Sequence, residues 1–161
     1  MKGNRQQVAV RAAVPGDEVE LAALDSLVNP SPWTAEQFVD ACREQEDRYE
    51  CALVMVCDEQ PEGFVVYSRV LDEACIHNIA IRPAMQGAGL GQLLLTAALA
   101  RLREAGAARC YLEVRESNMA AIGFYRRLGF ESGGVRRNYY TTAAGREDAV
   151  LMSRQLIEQE C

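Results

Sequence analysis

Short apolar runs bounded by turn-forming residues recur along the chain, and they predict seven β-strands. The predicted strands are Val8–Val14, Cys51–Cys57, Phe64–Leu71, 74–82, 108–114, Phe130–Arg137 and Ala149–Leu156. Start and stop signals predict four helices, at Glu18–Val28, Ala35 to about Gln45, 89–105 and Asn118–Leu128. Asp17 is the expected N-cap of the first helix, and Thr34 with Gln37 forms a capping box before the second. Gly106 and Gly129 are the expected ends of the other two.

The order of these elements predicts one mixed sheet flanked by helices. The three strands between Cys51 and residue 82 have short links, including a turn at Glu59–Gly63, which is typical of an antiparallel meander. Strand 74–82, helix 89–105 and strand 108–114 form a βαβ crossover. The polar segment Asn138–Asp148 is expected to be a loop. We therefore predict an α/β fold of mixed (α+β) type with a mostly antiparallel sheet, in a single domain spanning residues 1–161.

A glycine-rich stretch joins strand 74–82 to helix 89–105. Gly87, Gly89 and Gly91 lack Cβ atoms, so a ligand can approach the backbone closely there. The first N–H groups of the following helix have no partner within the helix, and the helix dipole favours negative charge beside them. We therefore predict a pyrophosphate-bearing cofactor seated at Gln86–Gln92.

The glycine-rich stretch alone leaves other interpretations open. A P-loop needs Lys and Ser or Thr after its glycines, whereas Gln92 and Leu93 follow Gly91, so this class is excluded. A dinucleotide fingerprint needs a third glycine where Leu94 stands, although Glu113 lies about twenty residues on, where a ribose-binding acid is expected. Alternating βα units do not continue after Glu113, which counts against that fold. A plain strand-to-helix turn is the remaining alternative.

Composition and charge restrict the class of protein and its partners. The chain has 161 residues, of which 49% are hydrophobic and 25% charged, as in an ordinary soluble domain. A net charge of −6 argues against direct nucleic-acid binding and is compatible with a basic protein or peptide partner. No apolar run is long enough to span a membrane, and Met1–Gln7 lacks the apolar core of a signal peptide. We therefore expect a cytoplasmic protein without a membrane partner.

The cysteine and histidine content predicts no metal site. The six cysteines include no Cys-x-x-Cys pair, and His77 is the single histidine. Four of the cysteines lie within predicted apolar strands, so we expect free thiols in a reducing compartment. The sequence leaves the oligomeric state open and is compatible with a monomer.

Several segments resemble the GNAT family of N-acetyltransferases. Gln86–Gly91 resembles the acyl-CoA motif of that family, Gln/Arg-x-x-Gly-x-Gly/Ala, and the predicted element order matches the family from end to end. A closer resemblance, over about residues 30 to 155, is to the branch that acetylates the N-terminal alanine of bacterial ribosomal proteins. The segments that carry it are Pro32-Trp33, Leu71–Ala74, Asn78–Ala80, Leu112–Arg115, Ser117-Asn118, Ala120–Ile122, Tyr125, Leu128–Phe130, Arg136–Tyr140 and Gly145–Ala149.

The resemblance implies acetyl-CoA as co-substrate and a role for particular residues in holding it. The backbone of Ile79, Ala80 and Ile81 would meet its acetyl and pantetheine part, and Asn118 would contact it near the sulfur. The pyrophosphate would lie against the loop residues Gly87, Ala88, Gly89, Leu90, Gly91 and Gln92. This chain departs from relatives that often carry Arg at the positions of Gly87 and Gln92, so backbone amides would carry more of the phosphate binding.

The resemblance also implies the catalytic pair and the acceptor. Glu113 is the implied general base and Tyr125 the implied general acid, and the seven-residue spacing from Asn118 to Tyr125 predicts that both lie on one helix face. The implied acceptor is the N-terminal amine of a basic ribosomal-protein peptide that begins with alanine. The candidate walls of its slot are Trp33, Arg136, Tyr139 and Tyr140.

A structural interpretation stands beside each of these functional ones. Glu113 could be a rim carboxylate paired with Arg115, Tyr125 could simply pack on the sheet, and the slot aromatics could be core residues. Two other functions also stay open. One is acetylation of a small-molecule amine or a lysine, and the other is a non-catalytic acyl-CoA-binding module, which the presence of both Glu113 and Tyr125 disfavours.

Overall fold

The structure, a computed structural model, describes residues 7–43 and 50–157. Its seven strands are β1 (Val8–Ala12), β2 (Glu50–Cys57), β3 (Gln60–Val70), β4 (Glu73–Ile81), β5 (Arg109–Arg115), β6 (Glu131–Thr142) and β7 (Gly145–Gln155). The α-helices are α1 (Glu18–Val28), α2 (Ala35–Phe38), α3 (Leu90–Glu104) and α4 (Met119–Arg127), and short 3₁₀ turns lie at Asp40–Cys42 and Pro83–Met85. The predicted order of strands and helices is confirmed. No helix among the described residues is long and apolar enough to cross a membrane.

The strands form one mixed sheet in the order β1-β2-β3-β4-β5-β7-β6. β4 and β5 pair in parallel, with Glu73 opposite Arg109, as the predicted βαβ crossover requires. The pairs β1–β2, β2–β3, β5–β7 and β6–β7 are antiparallel. The predicted mixed, mostly antiparallel fold class is therefore confirmed.

Two compact units divide the described residues. The first contains 7–43, 50–68 and 78–101, and the second contains 69–77 and 102–157, so β4 and α3 each contribute to both. In the first unit, Leu21 and Leu24 of α1 are fully buried against a core that includes Phe38 and Phe64, whose rings meet edge to face at 5.2 Å. In the second unit, alternate residues of β5 are buried, namely Cys110, Leu112 and Val114. This period of two places Glu113 and Arg115 on the other face of β5.

Two predictions about helix starts have different outcomes. The capping box is confirmed, because Thr34 accepts a hydrogen bond from the Gln37 amide while the Gln37 side chain accepts one from the Thr34 amide. Asp17 is the N-cap residue of α1 as predicted, but its carboxylate makes no capping hydrogen bond, because it binds Arg11 at 2.7 Å and the Val14 amide at 2.8 Å instead. The second helix is also shorter than predicted, since α2 ends at Phe38, and the predicted end near Gln45 lies outside the described residues.

Two predicted links are strand rather than loop. Asp58 and Glu59 have φ angles of +50° and +69°, which is the geometry of a two-residue hairpin turn, so β3 already begins at Gln60 and the predicted turn at Glu59–Gly63 is wrong. Most of the predicted loop Asn138–Asp148 likewise belongs to β6 and β7. Asn138 adopts φ +54° where the β6–β7 register shifts, and its amide donates to the Asp148 carboxylate at 2.8 Å.

Candidate active site

The glycine-rich stretch forms an open turn in the first unit. Gly87 and Gly89 have φ angles of +86° and +76°, and a Cβ atom added at either position would meet no atom within 4 Å. These left-handed conformations suit glycine, and the open space leaves room for a ligand. Ala88 and Gln92 are exposed beside them, and Leu90 and Gly91 open helix α3.

The start of α3 has the polarity that an anion requires. The Leu93 amide donates to the Gly89 carbonyl at 3.2 Å, which is the first hydrogen bond of the helix. The amides that precede Leu93 in the first turn therefore have no acceptor within the helix. No acidic residue lies in that first turn. Because these amides and the helix dipole act together, the turn fits a phosphate group.

The end of β4 is fixed by burial and by a hydrogen bond to this turn. Ala80 and Ile81 are buried and Ile79 is half-buried. A Cβ atom at Gly63 would stand 2.6 Å from Cδ1 of Ile81 and 3.1 Å from the Ala80 carbonyl oxygen, so a larger residue there would force its neighbours on β4 to shift. Gln86 is a residue whose role the sequence did not reveal: its side-chain amide donates to the Ile81 carbonyl at 2.9 Å. This bond fixes the turn to the end of the strand.

Trp33 is anchored to the core of the first unit. Its ring is half-buried and lies 5.2 Å from the ring of Phe38, and its backbone amide donates to the carboxylate of Asp25 at 2.8 Å. Packing on the core therefore explains why the Trp33 ring is half-buried. Its predicted contact with a peptide stays a prediction.

In the second unit, Glu113 faces the β6 strand. Its carboxylate lies 3.2 Å from the guanidinium of Arg136, and its interaction with the Tyr139 hydroxyl raises the pKa of that phenol. Arg115, the alternative partner considered from the sequence, instead pairs with Glu147 at 3.8 Å. The alternative interpretation, a Glu113–Arg115 pair, is therefore not observed. In the register of β5, β7 and β6, Arg136 lies in line with Ala149 and Arg115, so its side chain reaches Glu113 diagonally across β7.

Two arginine–tyrosine pairs continue this polar face. The Arg136 guanidinium lies 4.9 Å from the ring centre of Tyr139, and that of Arg115 lies 4.4 Å from the ring centre of Tyr140. The hydrogen bond to Glu113 raises the pKa of Tyr139, and burial together with the Glu113 charge raises the pKa of Tyr140 to about 12. Both phenols therefore stay protonated at neutral pH.

Tyr125 is buried in α4. Only 8% of its surface is exposed, and its ring lies 5.8 Å from Phe130 in an edge-to-face contact. Burial raises the pKa of this phenol well above its ordinary value, so it keeps its proton at any physiological pH. Asn118 is the N-cap of α4 rather than part of the helix, because its side chain accepts a hydrogen bond from the Ala121 amide at 3.1 Å. The helix thus begins one residue later than predicted, and the shared face of Asn118 and Tyr125 stays a prediction.

The predicted residues fall into two groups, each within one unit. The cofactor candidates of β4 and the glycine turn lie with Trp33 in the first unit. The second unit contains Glu113, Asn118, Tyr125, Arg136, Tyr139 and Tyr140. Within it, Glu113, Arg136 and Tyr139 are in direct contact.

Comparisons with known proteins show the family and the fold. Residues 19–130 match the model of the acetyltransferase (GNAT) family. The [ribosomal protein bS18]-alanine N-acetyltransferase of Salmonella typhimurium is 42% identical over 76% of this chain and 80% of the relative. The Haemophilus influenzae protein of the same name is 42% identical over 76% of this chain and 81% of the relative. The crystal structure of the ribosomal-protein-S18-alanine N-acetyltransferase from Escherichia coli superposes with a TM-score of 0.87 at 32% identity, covering 96% of this chain and 97% of that one.

Proposed function

Because this chain belongs to the acetyltransferase (GNAT) family, we propose that it transfers the acetyl group of acetyl-CoA to the α-amine of an N-terminal alanine. The proposed acceptor is the ribosomal protein bS18. The observation that carries this proposal is the similarity to bS18-alanine N-acetyltransferases over three quarters of the chain. The proposed acetyltransferase domain is the whole chain, residues 1–161. The proposed location is the cytoplasm, which would suit the Cys57 and Cys110 thiols, since neither is in a disulfide.

The glycine turn is the proposed site for the pyrophosphate of acetyl-CoA. The observations that support a fit are the room above Gly87 and Gly89 and the first-turn amides of α3 without a neighbouring carboxylate. Ile79, Ala80 and Ile81 are proposed to hold the pantetheine arm through their backbone, and Asn118 through its side chain. When bound, acetyl-CoA supplies the activated acetyl thioester.

Glu113 is the proposed general base. A protein N-terminus has a pKa of about 7.7–8.0, so roughly a tenth to a fifth is already neutral in the cell, against on the order of a thousandth of a lysine side chain with pKa about 10.4. A single carboxylate that accepts the remaining proton, directly or through a water, is then sufficient. Arg136 and Tyr139 support this role because they hold the Glu113 carboxylate in one position.

Tyr125 is the proposed general acid toward the departing thiolate. Its buried phenol is protonated throughout the working pH range, which a proton donor requires. Burial also makes it a weaker acid than a free tyrosine, while the thiol has a pKa of about 8.5. We therefore expect a contribution in the lower part of the range for general acids.

The proposed peptide slot contains Trp33, Arg136, Tyr139 and Tyr140. Arg136 contacts Glu113, so we propose that it positions the general base in addition to contacting the peptide. The exposed ring of Tyr139 and the half-buried ring of Tyr140 could border a small first residue. The net charge of −6 favours the approach of a basic peptide.

An acetylation assay with matched peptides tests the proposal. One peptide carries the N-terminal sequence of bS18 beginning with alanine, a second has that N-terminus blocked, and a third begins with a bulky residue. We expect rapid acetylation of the first alone, with the acetyl group on the α-amine. Acetylation of the blocked peptide on its lysines at a similar rate would contradict the proposal.

A further inference from the structure

A buried carboxylate joins three elements of the first unit. Asp25, in α1, is completely buried, although ionisable side chains rarely are. One carboxylate oxygen accepts from the Asn29 side-chain amide, and the other accepts from the Trp33 backbone amide at 2.8 Å and the Asn78 side-chain amide at 2.9 Å. Asn29 also donates to Asn78 at 3.1 Å. The cluster thus connects α1, the segment 29–34 and β4.

We infer that Asp25 is a positioning residue, which fixes the segment 29–34, called here the Trp33 loop, and thereby sets the affinity for the acceptor peptide. This inference rests on the proposed function, because it takes Trp33 as a wall of the peptide slot.

The Trp33 loop depends on this carboxylate more than the other two elements do. Helix α1 is held by the buried side chains of Leu21 and Leu24, and β4 lies between β3 and β5 in the sheet. In the loop, Pro30 and Pro32 have no N–H group, so Ser31 and Trp33 carry its backbone donors between Asn29 and Thr34. Trp33 gives its donor to Asp25. Loss of that acceptor would therefore free the loop before it disturbed the helix or the strand.

The hydrogen-bonding pattern requires an acceptor at both oxygens of residue 25. In Asp25→Asn, the amide oxygen would have to remain opposite the Trp33 and Asn78 donors, which turns the new NH₂ group toward the NH₂ group of Asn29. Turning the Asn29 amide would place its oxygen opposite the Asn78 oxygen. Turning the Asn78 amide as well would place the Asn78 oxygen opposite the oxygen of residue 25. Every arrangement leaves one repulsive contact, although the shape of the side chain is unchanged.

If the loop is in its binding position in only a fraction of the molecules, the apparent affinity for the peptide is reduced in proportion to that fraction. Once the peptide is bound, the loop is in position and the chemical step is unaffected. We expect Asp25→Asn to raise KM for the alanine peptide about tenfold, the cost of one unmade buried hydrogen bond, with kcat and the Kd for acetyl-CoA nearly unchanged.

Trp33 also provides a readout that is independent of activity, since it is the single tryptophan of the chain. Asp25→Asn should increase the quenching of its fluorescence by acrylamide while the circular dichroism spectrum stays the same. The control is Leu102→Ala in α3, which removes a buried side chain outside the core cluster on which Trp33 packs and leaves the hydrogen bonds of Asp25 in place. The control should lower Tm without changing KM or the quenching.

The two readouts separate failure of this inference from failure of the proposed function. If the wild-type protein acetylates no peptide, the proposed function fails, and the quenching still tests the position of the loop. An Asp25→Asn protein that matches Leu102→Ala in quenching and in KM, with only Tm lowered, would overturn the inference. Should Asp25→Asn not fold, Asn29→Ala takes its place, because it removes one of the two bonds by which Asp25 fixes the Trp33 loop. The same two results then support or overturn the inference.

Discussion

Replacing Gly89 with alanine tests the glycine turn against a control on the same helix. Gly89 precedes α3 with φ +76°, and Gly106 follows it with φ +98°, and an added Cβ would meet no atom within 4 Å at either position. Steric clash therefore contributes nothing in either case. The cost is that of a left-handed conformation for alanine, roughly 1–2 kcal/mol. Gly89→Ala and Gly106→Ala should destabilise the protein equally.

Acetyl-CoA binding should distinguish the two variants. The 15 residues of α3 separate the two sites by about 22 Å along the helix axis, so Gly106 is remote from the turn. At Gly89 the new methyl group would occupy the space through which the pyrophosphate is proposed to reach the first-turn amides. If two charge-assisted hydrogen bonds are lost at about 1.5–3 kcal/mol each, Kd rises at least about 100-fold.

Calorimetric titration and thermal denaturation with acetyl-CoA provide the assay. At a concentration of about 100 times Kd, the ligand should stabilise wild type and Gly106→Ala by about 2.7 kcal/mol and should leave Gly89→Ala almost unchanged. Equal affinity of all three proteins for acetyl-CoA would refute the assignment of the pyrophosphate to this turn.

Three further predictions concern single side chains. Tyr125→Phe keeps the buried ring and removes the proton donor, so kcat should fall about ten- to a hundredfold while the Kd for acetyl-CoA stays constant; wild-type turnover would leave Tyr125 with a packing role alone. Gln86→Ala removes the bond to the Ile81 carbonyl and should weaken acetyl-CoA binding about fivefold in calorimetry, whereas unchanged affinity would mean that the turn is fixed without it. Because the pKa of Tyr140 is about 12 in the folded chain and about 10 when unfolded, the folded state holds this proton more tightly. The free energy of unfolding in urea should therefore be greatest below about pH 10 and decrease as pH rises toward 12, and a constant value over that interval would contradict the burial of Tyr140.

The sequence predicted those features whose causes are local. The capping box at Thr34 and Gln37 and the glycines that end α3 and α4 depend on residues a few positions apart, so their pattern is visible along the chain. The strands were recognised for the same reason, since apolar runs between turn residues are a local pattern. The class of fold followed from the order of these elements.

Features that depend on distant residues were missed. Asp17 was expected to cap α1, but Arg11 offers its carboxylate a charged partner from β1, which no local rule reveals. The sequence did not reveal the partner of Glu113, because Arg136 lies on β6, which is separated from β5 by β7, and its side chain reaches Glu113 diagonally across that strand. The Asp25 cluster escaped notice because its members are separated by up to 53 positions and lack any motif.

The most direct test of the central claim is the mass of the bS18 N-terminal peptide from cells with and without this protein. The account predicts that the peptide carries one acetyl group on its alanine α-amine when the protein is present and is unmodified when it is absent. Restoring a Glu113→Gln variant should leave the peptide largely unmodified, because the proposed base is lost while its shape is kept. A fully acetylated α-amine in cells that lack the protein, or an acetyl group found on lysine alone, would contradict the account.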